Sequence, residues 1–98
     1  MTLAEITAQF VKTAEKVPSL GKSIKFVFDE GIVHIDLTGE QSVVTNEDKA
    51  ADCTITTSME TLDGVRKGEI NAMMAVMSGK VKIKGDMGLA LQLPSLIA

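Results

Sequence analysis

The sequence contains no tryptophan and no tyrosine, only three phenylalanines as aromatics, and one cysteine, one histidine and two prolines in 98 residues. A lone Cys53 cannot close an internal disulfide or build a thiolate metal site, which fits a reducing compartment. At a net charge of -3 there is no basic excess, and three rings offer few stacking platforms, so a nucleic-acid partner is not expected. No apolar run approaches the roughly 20 residues that span a bilayer. The opening Met1-Thr2-Leu3-Ala4-Glu5-Ile6 lacks the basic start and unbroken apolar segment of a secretion signal. Together these absences predict a soluble, cytoplasmic protein. Its 98 residues suit one domain, 1–98, with no room for a second.

What is present is apolar and soft. Hydrophobic residues make up 45% of the chain, and four of its six methionines, Met73, Met74, Met77 and Met87, fall close together. Unbranched thioether chains fill irregular cores and also adapt to varied apolar partners, and composition alone favours the core-filling account.

Hydrophobic spacing orders the chain. Leu3, Ile6, Phe10, Val11, Ala14 and Val17 recur at helical intervals, so an amphipathic helix is expected over 3–17, capped by Thr2 and stopped by Pro18. Two alternating runs, Ile24-Phe26-Phe28 and Val33-Ile35-Leu37, joined at Glu30-Gly31, predict a hairpin with one apolar face. A short strand at 42–45 and a β-branched strand at 52–57 follow. Ser58 can cap a helix over 59–67, broken by Gly68. Ile70, Met73, Met74 and Met77 then stand at i, i+3, i+4 and i+7, which predicts a buried stripe on a helix closed by Gly79. Lys80-Val81-Lys82-Ile83-Lys84 alternates as a fifth strand, and Asp86 can cap a last helix carrying Met87, Ala90 and Leu91.

Short turns predict an antiparallel meander for the first three strands, and the two helices between the fourth and fifth suit a parallel crossover. With one apolar side per strand, the helices must gather on a single face, giving a two-layer α+β fold.

Catalytic groups are scarce. His34 alternates with Val33 and Ile35, which assigns it to the solvent face, away from Cys53 on the apolar side of its strand, so the two cannot form a base and nucleophile. Glu47, Asp48 and Asp52 match no metal-binding loop and read as a solvated turn. Gly79, Gly85 and Gly88 flank a strand and do not open a helix, so they form no phosphate loop. The Lys80, Lys82 and Lys84 stripe could draw anionic headgroups, though protection of an edge strand is the simpler account. No enzyme, cofactor or metal is implied.

The text Met-Ser-Gly-Lys-Val-Lys-Ile-Lys-Gly-Asp-Met-Gly-Leu-Ala-Leu at 77–91 resembles the signature of the sterol carrier protein 2 lipid-binding domain family: a helix ending in Gly, an alternating basic strand, then Gly-Asp-Met and a helix rich in small residues. The order of elements before it is similar too. This resemblance implies a five-stranded mixed β-sheet with helices packed on one face, enclosing an apolar cavity. It implies non-catalytic binding, and transfer within the cell, of a sterol, fatty acid, fatty acyl-CoA or phospholipid. The cavity wall it implies consists of Phe26, Phe28, Ile35, Leu37 and Ile55 from the sheet, with Met73, Met74, Met77, Met87 and Leu91 from the helices. Transient membrane contact and a homodimer completing the cavity mouth are further expectations. The ending Leu96-Ile97-Ala98 departs from the peroxisomal signal of eukaryotic members, which favours a free-standing bacterial, cytoplasmic protein. The alternative is an accessory or interaction domain whose core is fully packed and holds no ligand.

Overall fold

Alternating apolar residues give five strands that join in one mixed sheet, in the spatial order β3 (Val43–Thr45), β2 (Gly31–Asp36), β1 (Ser23–Phe28), β4 (Cys53–Thr57), β5 (Val81–Gly85). The computed structural model describes residues 2–16 and 21–91, side chains 90 and 91 excepted. β1 (Ser23–Phe28) and β2 (Gly31–Asp36) form the expected hairpin. Its turn is Asp29-Glu30, one residue earlier than expected, because Gly31, at φ 149°, already faces Phe28. β3 (Val43–Thr45) lies antiparallel to β2, and β4 (Cys53–Thr57) lies parallel to β1.

β5 (Val81–Gly85) pairs antiparallel with β4, which corrects the expected parallel crossover. Two helices intervene, so the chain returns to the end of the sheet it left: Thr57, the last residue of β4, faces Val81, the first of β5. The parallel pair is instead β1 with β4. Reaching β4 from β3 means passing β2 and β1, and residues 46–52 do so across the outer face. There Lys25 Nζ donates to Asp48 at 2.8 Å, His34 Nε2 to the Ala50 carbonyl at 3.0 Å, and the Ser23 amide to Asp52 at 2.8 Å.

The helices occupy the inner face. α1 (Leu3–Lys16) begins with a reciprocal cap in which Thr2 Oγ1 accepts from the Glu5 amide and Glu5 from the Thr2 amide. It buries Ile6, Phe10 and Ala14; Val11 falls outside that stripe and is exposed, and Val17 lies outside the described residues. α2 (Met59–Arg66), capped by Ser58, buries Met59 and Leu62. α3 (Ala72–Met77) is capped by Asn71 and packs on β5, whereas α4 (Met87–Leu91) packs on β4 and β5. Phe10 of α1 stacks on Phe26 of β1 at 4.6 Å between ring centroids, and Phe26 on Phe28 at 6.2 Å, so an aromatic row joins helix to sheet at the centre of the core.

Candidate functional site

The five sheet positions expected to line an apolar interior do converge. Phe26 sits between Val33 and Ile55 in the register, Ile35 crosses from Ile24, and Leu37 follows the end of β2. Phe26, Phe28, Ile35, Leu37 and Ile55 are all buried in one cluster with Ile6, Phe10, Met59 and Leu62. Where α1 meets α2, a crevice lined by Ile6, Phe10 and Leu62, with Gln9, Thr13, Asp63 and Arg66 at its rim, measures about 10 Å³, room for one water-sized group. Two larger hollows, of about 430 Å³ beside Glu15, Glu40 and Gln41 and about 250 Å³ beside Asp29, Glu30 and Glu60, have polar, acidic linings unsuited to an apolar guest.

The methionines are elsewhere than expected. Met73, Met74 and Met77 are 59%, 63% and 79% exposed, and Met87 is 52% exposed. The buried stripe predicted through Ile70 fails because the helix does not run through Ile70. Gly68 turns the chain at φ 80°, Ile70 folds back onto α2 with its amide on the Gly64 carbonyl at 3.0 Å, and Asn71 restarts a helix by accepting from the Met74 amide at 3.2 Å. In the new phase Ala75 is the residue buried against β5, with Val76 half-buried. In α4, Leu89 is buried and Met87 is not, while the Leu91 side chain lies outside the described residues. The cap at Asn71 and the small Ala75, which permits close approach to a strand, were the signals that pointed to this arrangement.

Asp86 holds the junction between β5 and α4. Its Oδ1 accepts from the amides of Gly88 and Leu89 at 2.9 and 3.3 Å, and its Oδ2 pairs with Lys22 Nζ. The Lys22 ammonium, and then the Leu89 amide, hold this carboxyl below the usual carboxylate range. Gly85, at φ 103°, precedes it with its Cα packed against the Asp52 carbonyl, so the Gly-Asp-Met text is a turn that only glycine fits, followed by a helix cap.

His34 is 4% exposed, not on open solvent as expected, because the 46–52 crossing covers it. It still lies on the face opposite Cys53: Lys25 faces His34 on one side, and Ile24 faces Cys53 on the other. Burial pushes the Cys53 thiol up, away from the thiolate a nucleophile needs. Among the described residues no group of three or more His, Cys, Asp or Glu side chains could hold a metal ion, and no helix is long and apolar enough to cross a membrane.

The profile of the SCP-2 sterol transfer family matches residues 3–98. Sterol carrier protein 2 from Bos taurus is 47% identical over 58 residues, which cover 59% of this chain and 11% of that protein, so the chain spans about a tenth of the length of such relatives. The solution structure of the sterol carrier protein domain 2 of Helicoverpa armigera superposes with a TM-score of 0.76 at 24% identity, covering 95% of this chain and 83% of that one. Sterol Carrier Protein-2 from Aedes aegypti, solved in complex with the C16 fatty acid palmitate, superposes with a TM-score of 0.74 at 24% identity, covering 100% and 97%. At these identities the structural likeness is one of fold.

Proposed function

The chain belongs to the SCP-2 sterol transfer family, and from that premise we propose that it binds a long-chain lipid without catalysis, holding the chain between the inner face of the sheet and the helices α2, α3 and α4. One observation carries the reading. The apolar face formed by Phe26, Phe28, Ile35, Leu37 and Ile55 is covered by α1 over Phe26 and by three shorter helices of eight, six and five residues, and the two shortest present Met73, Met74, Met77 and Met87 to solvent. Helices this short are not stable alone and depend on packing, so they can part from the sheet at modest cost. Exposed methionines next to a core supply flexible apolar walls that such a movement would turn inward around a guest.

The driving force suffices. Each buried methylene is worth roughly 0.8 kcal/mol, so a 16-carbon chain gains on the order of 10 kcal/mol before ordering costs. Because this force is non-directional, it selects length and bulk over headgroup, and the ligand class extends across sterols, fatty acids, acyl-CoA and phospholipids. A fluorescent fatty acid should be taken up saturably and displaced by unlabelled palmitate.

The small volume of the α1–α2 crevice favours a second reading, an accessory domain with a permanently packed core. Native mass spectrometry of protein from its host decides between them. A co-purified lipid supports the carrier; a bare mass, together with no uptake of any apolar probe, overturns it.

A further inference from the structure

β5 ends the sheet on one side, and its register with β4 fixes which backbone groups it leaves open. The Asp86 amide donates to the Asp52 carbonyl at 2.8 Å, and Lys84 and Lys82 face Thr54 and Thr56. Residues of an antiparallel strand alternate between those bonded to the partner and those turned away from it. Lys82 and Lys84 share the bonded phase of Asp86, so the amides and carbonyls of Ile83 and Gly85 point to the open side. Ile83 is half-buried and Gly85 exposed, whereas Val81, two residues earlier in the same phase, is buried. Side chains alternate across the sheet: Val81 and Ile83 pack on the core, and Lys82 and Lys84 stand on the outer face. Both lysines, and Lys80 just before the strand, are exposed and have no acidic partner among the described residues. Edges are blunted by brevity, by bulges, by proline or by a charge on the covered face. β3, at the opposite edge, has only three residues, but β5 has five, pairs with β4 at each without a bulge, and carries its charges on the outer face.

We propose that β5 accepts an extended acidic peptide as a sixth strand, with carboxylates at alternate positions and apolar side chains between them. Its main chain bonds to Ile83 and Gly85, the mode in which strand addition gains affinity from the backbone and specificity from alternate side chains. In an antiparallel pairing the residues opposite Lys82 and Lys84 fall in the closer class of cross-strand pair, about 4.5 Å between Cα atoms, where a carboxylate meets an ammonium directly. The side chain between them lies on the inner side and covers what Ile83 leaves exposed, so it is apolar. A second copy of the chain does not fit, because β5 against β5 sets these lysines against one another. Residues 92–98 of the chain do not match the edge in charge, since they hold no acidic side chain. The proposal is independent of the lipid reading, which concerns the inner face alone.

The test is fluorescence anisotropy of a labelled peptide of about seven residues, alternating Glu and Val, titrated with the full chain, with amide exchange followed by NMR. Saturable binding is expected, weakening as ionic strength rises from about 0.01 to 0.15 M, where the screening length falls from about 30 to 8 Å, and slowing exchange at Ile83 and Gly85. A peptide with the same residues in separate Glu and Val blocks, and the alternating peptide with methylated backbone nitrogens, should each bind about tenfold more weakly or worse. Lys82→Gln with Lys84→Gln should weaken binding about threefold or more, and circular dichroism should show it folded, since both side chains are exposed. Lys12→Gln with Lys16→Gln, on exposed positions of α1, should bind as the parent does. The proposal is overturned if the alternating peptide does not bind, including the case where an oligonucleotide or an anionic vesicle binds instead. Equal binding of the block or methylated peptide, or normal binding by the β5 variant, overturns it too. So does slow exchange at Ile83 and Gly85 that needs no peptide and deepens with protein concentration, which would assign the edge to a second copy.

Discussion

Two glycines that bracket β5 separate backbone strain from steric conflict. Gly79 and Gly85 both hold positive φ, at 81° and 103°, but a Cβ on Gly79 meets nothing, whereas one on Gly85 falls inside contact distance of the Asp52 carbonyl. Gly79→Ala should therefore cost about 1 kcal/mol, the price of the conformation alone. Gly85→Ala should cost about 1–3 kcal/mol more, because either the β4–β5 pairing or the 52–53 backbone must shift. Urea denaturation of the two variants checks this, and equal losses would mean that the carbonyl yields freely. Asp86, next in sequence, sets part of the acid response. Its carboxyl is held low by Lys22, as that of Asp63 is by Arg66 and Lys67 and that of Asp36 by the Thr38 hydroxyl. A carboxyl whose folded value is depressed stabilises the fold above its unfolded value and ceases to as pH falls through the folded one. The urea midpoint should stay level from neutrality to about pH 5 and decline below about pH 4. Asp86→Asn keeps an acceptor for the helix amides but loses the charge, so its midpoint should fall less steeply over that acid range than the parent's.

Among the elements, α3 is where sequence spacing and structure part. Elements and caps in strand and helix were readable because each rests on local chemistry: alternation for β1 and β2, Ser58 and Asp86 as side-chain acceptors for α2 and α4, Thr2 for α1. Spacing could not reveal that Ile70 belongs to the end of α2, because the break depends on Gly64, whose missing side chain leaves room for Ile70 to fold back. For the same reason the inward-facing residues of the sheet were legible and those of the helices were not: a strand's inner face is fixed by parity, whereas a helix's inner face depends on where it starts. His34 shows the converse limit, since parity gave its face correctly but could not show that a connection 12 or more residues away would cover it. The consequence is testable. Met77→Asp, on an exposed position, should change stability by no more than about 0.5 kcal/mol. If Met77 closes over a bound acyl chain, uptake of the fluorescent fatty acid should weaken about tenfold or more, since burying a methionine side chain is worth roughly 1.5–3 kcal/mol. Phe28→Asp would place an unpaired charge beside Phe26 and should abolish folding, because that penalty is comparable to the whole stability of about 5–15 kcal/mol. Folded Phe28→Asp protein, seen by circular dichroism, would contradict the packing described for β1.

At the scale of the whole molecule, stability is unevenly spread, and the proposed function depends on that. β1 lies at the centre of the sheet, between β2 and β4, and joins α1 through the stack of Phe10 on Phe26. α3 and α4 sit at the edge strand, hold few buried side chains and have only single-residue caps. Amide exchange should accordingly be slowest in β1 and fastest, among the helices, in α3 and α4. A ligand retards exchange only where the opening that exposes an amide also releases the ligand. Palmitate at about a hundred times its dissociation constant should therefore slow exchange in α3 and α4 by about a hundredfold. The 46–52 crossing supplies the internal reference, because it lies on the outer face, clamped by Lys25 and His34, and can open without disturbing anything held on the inner one. Its exchange should not change. Slowing in the helices with a constant outer crossing is the signature of a guest held between sheet and helices, whereas equal rates everywhere with and without palmitate would leave the inner face as nothing more than a packed core.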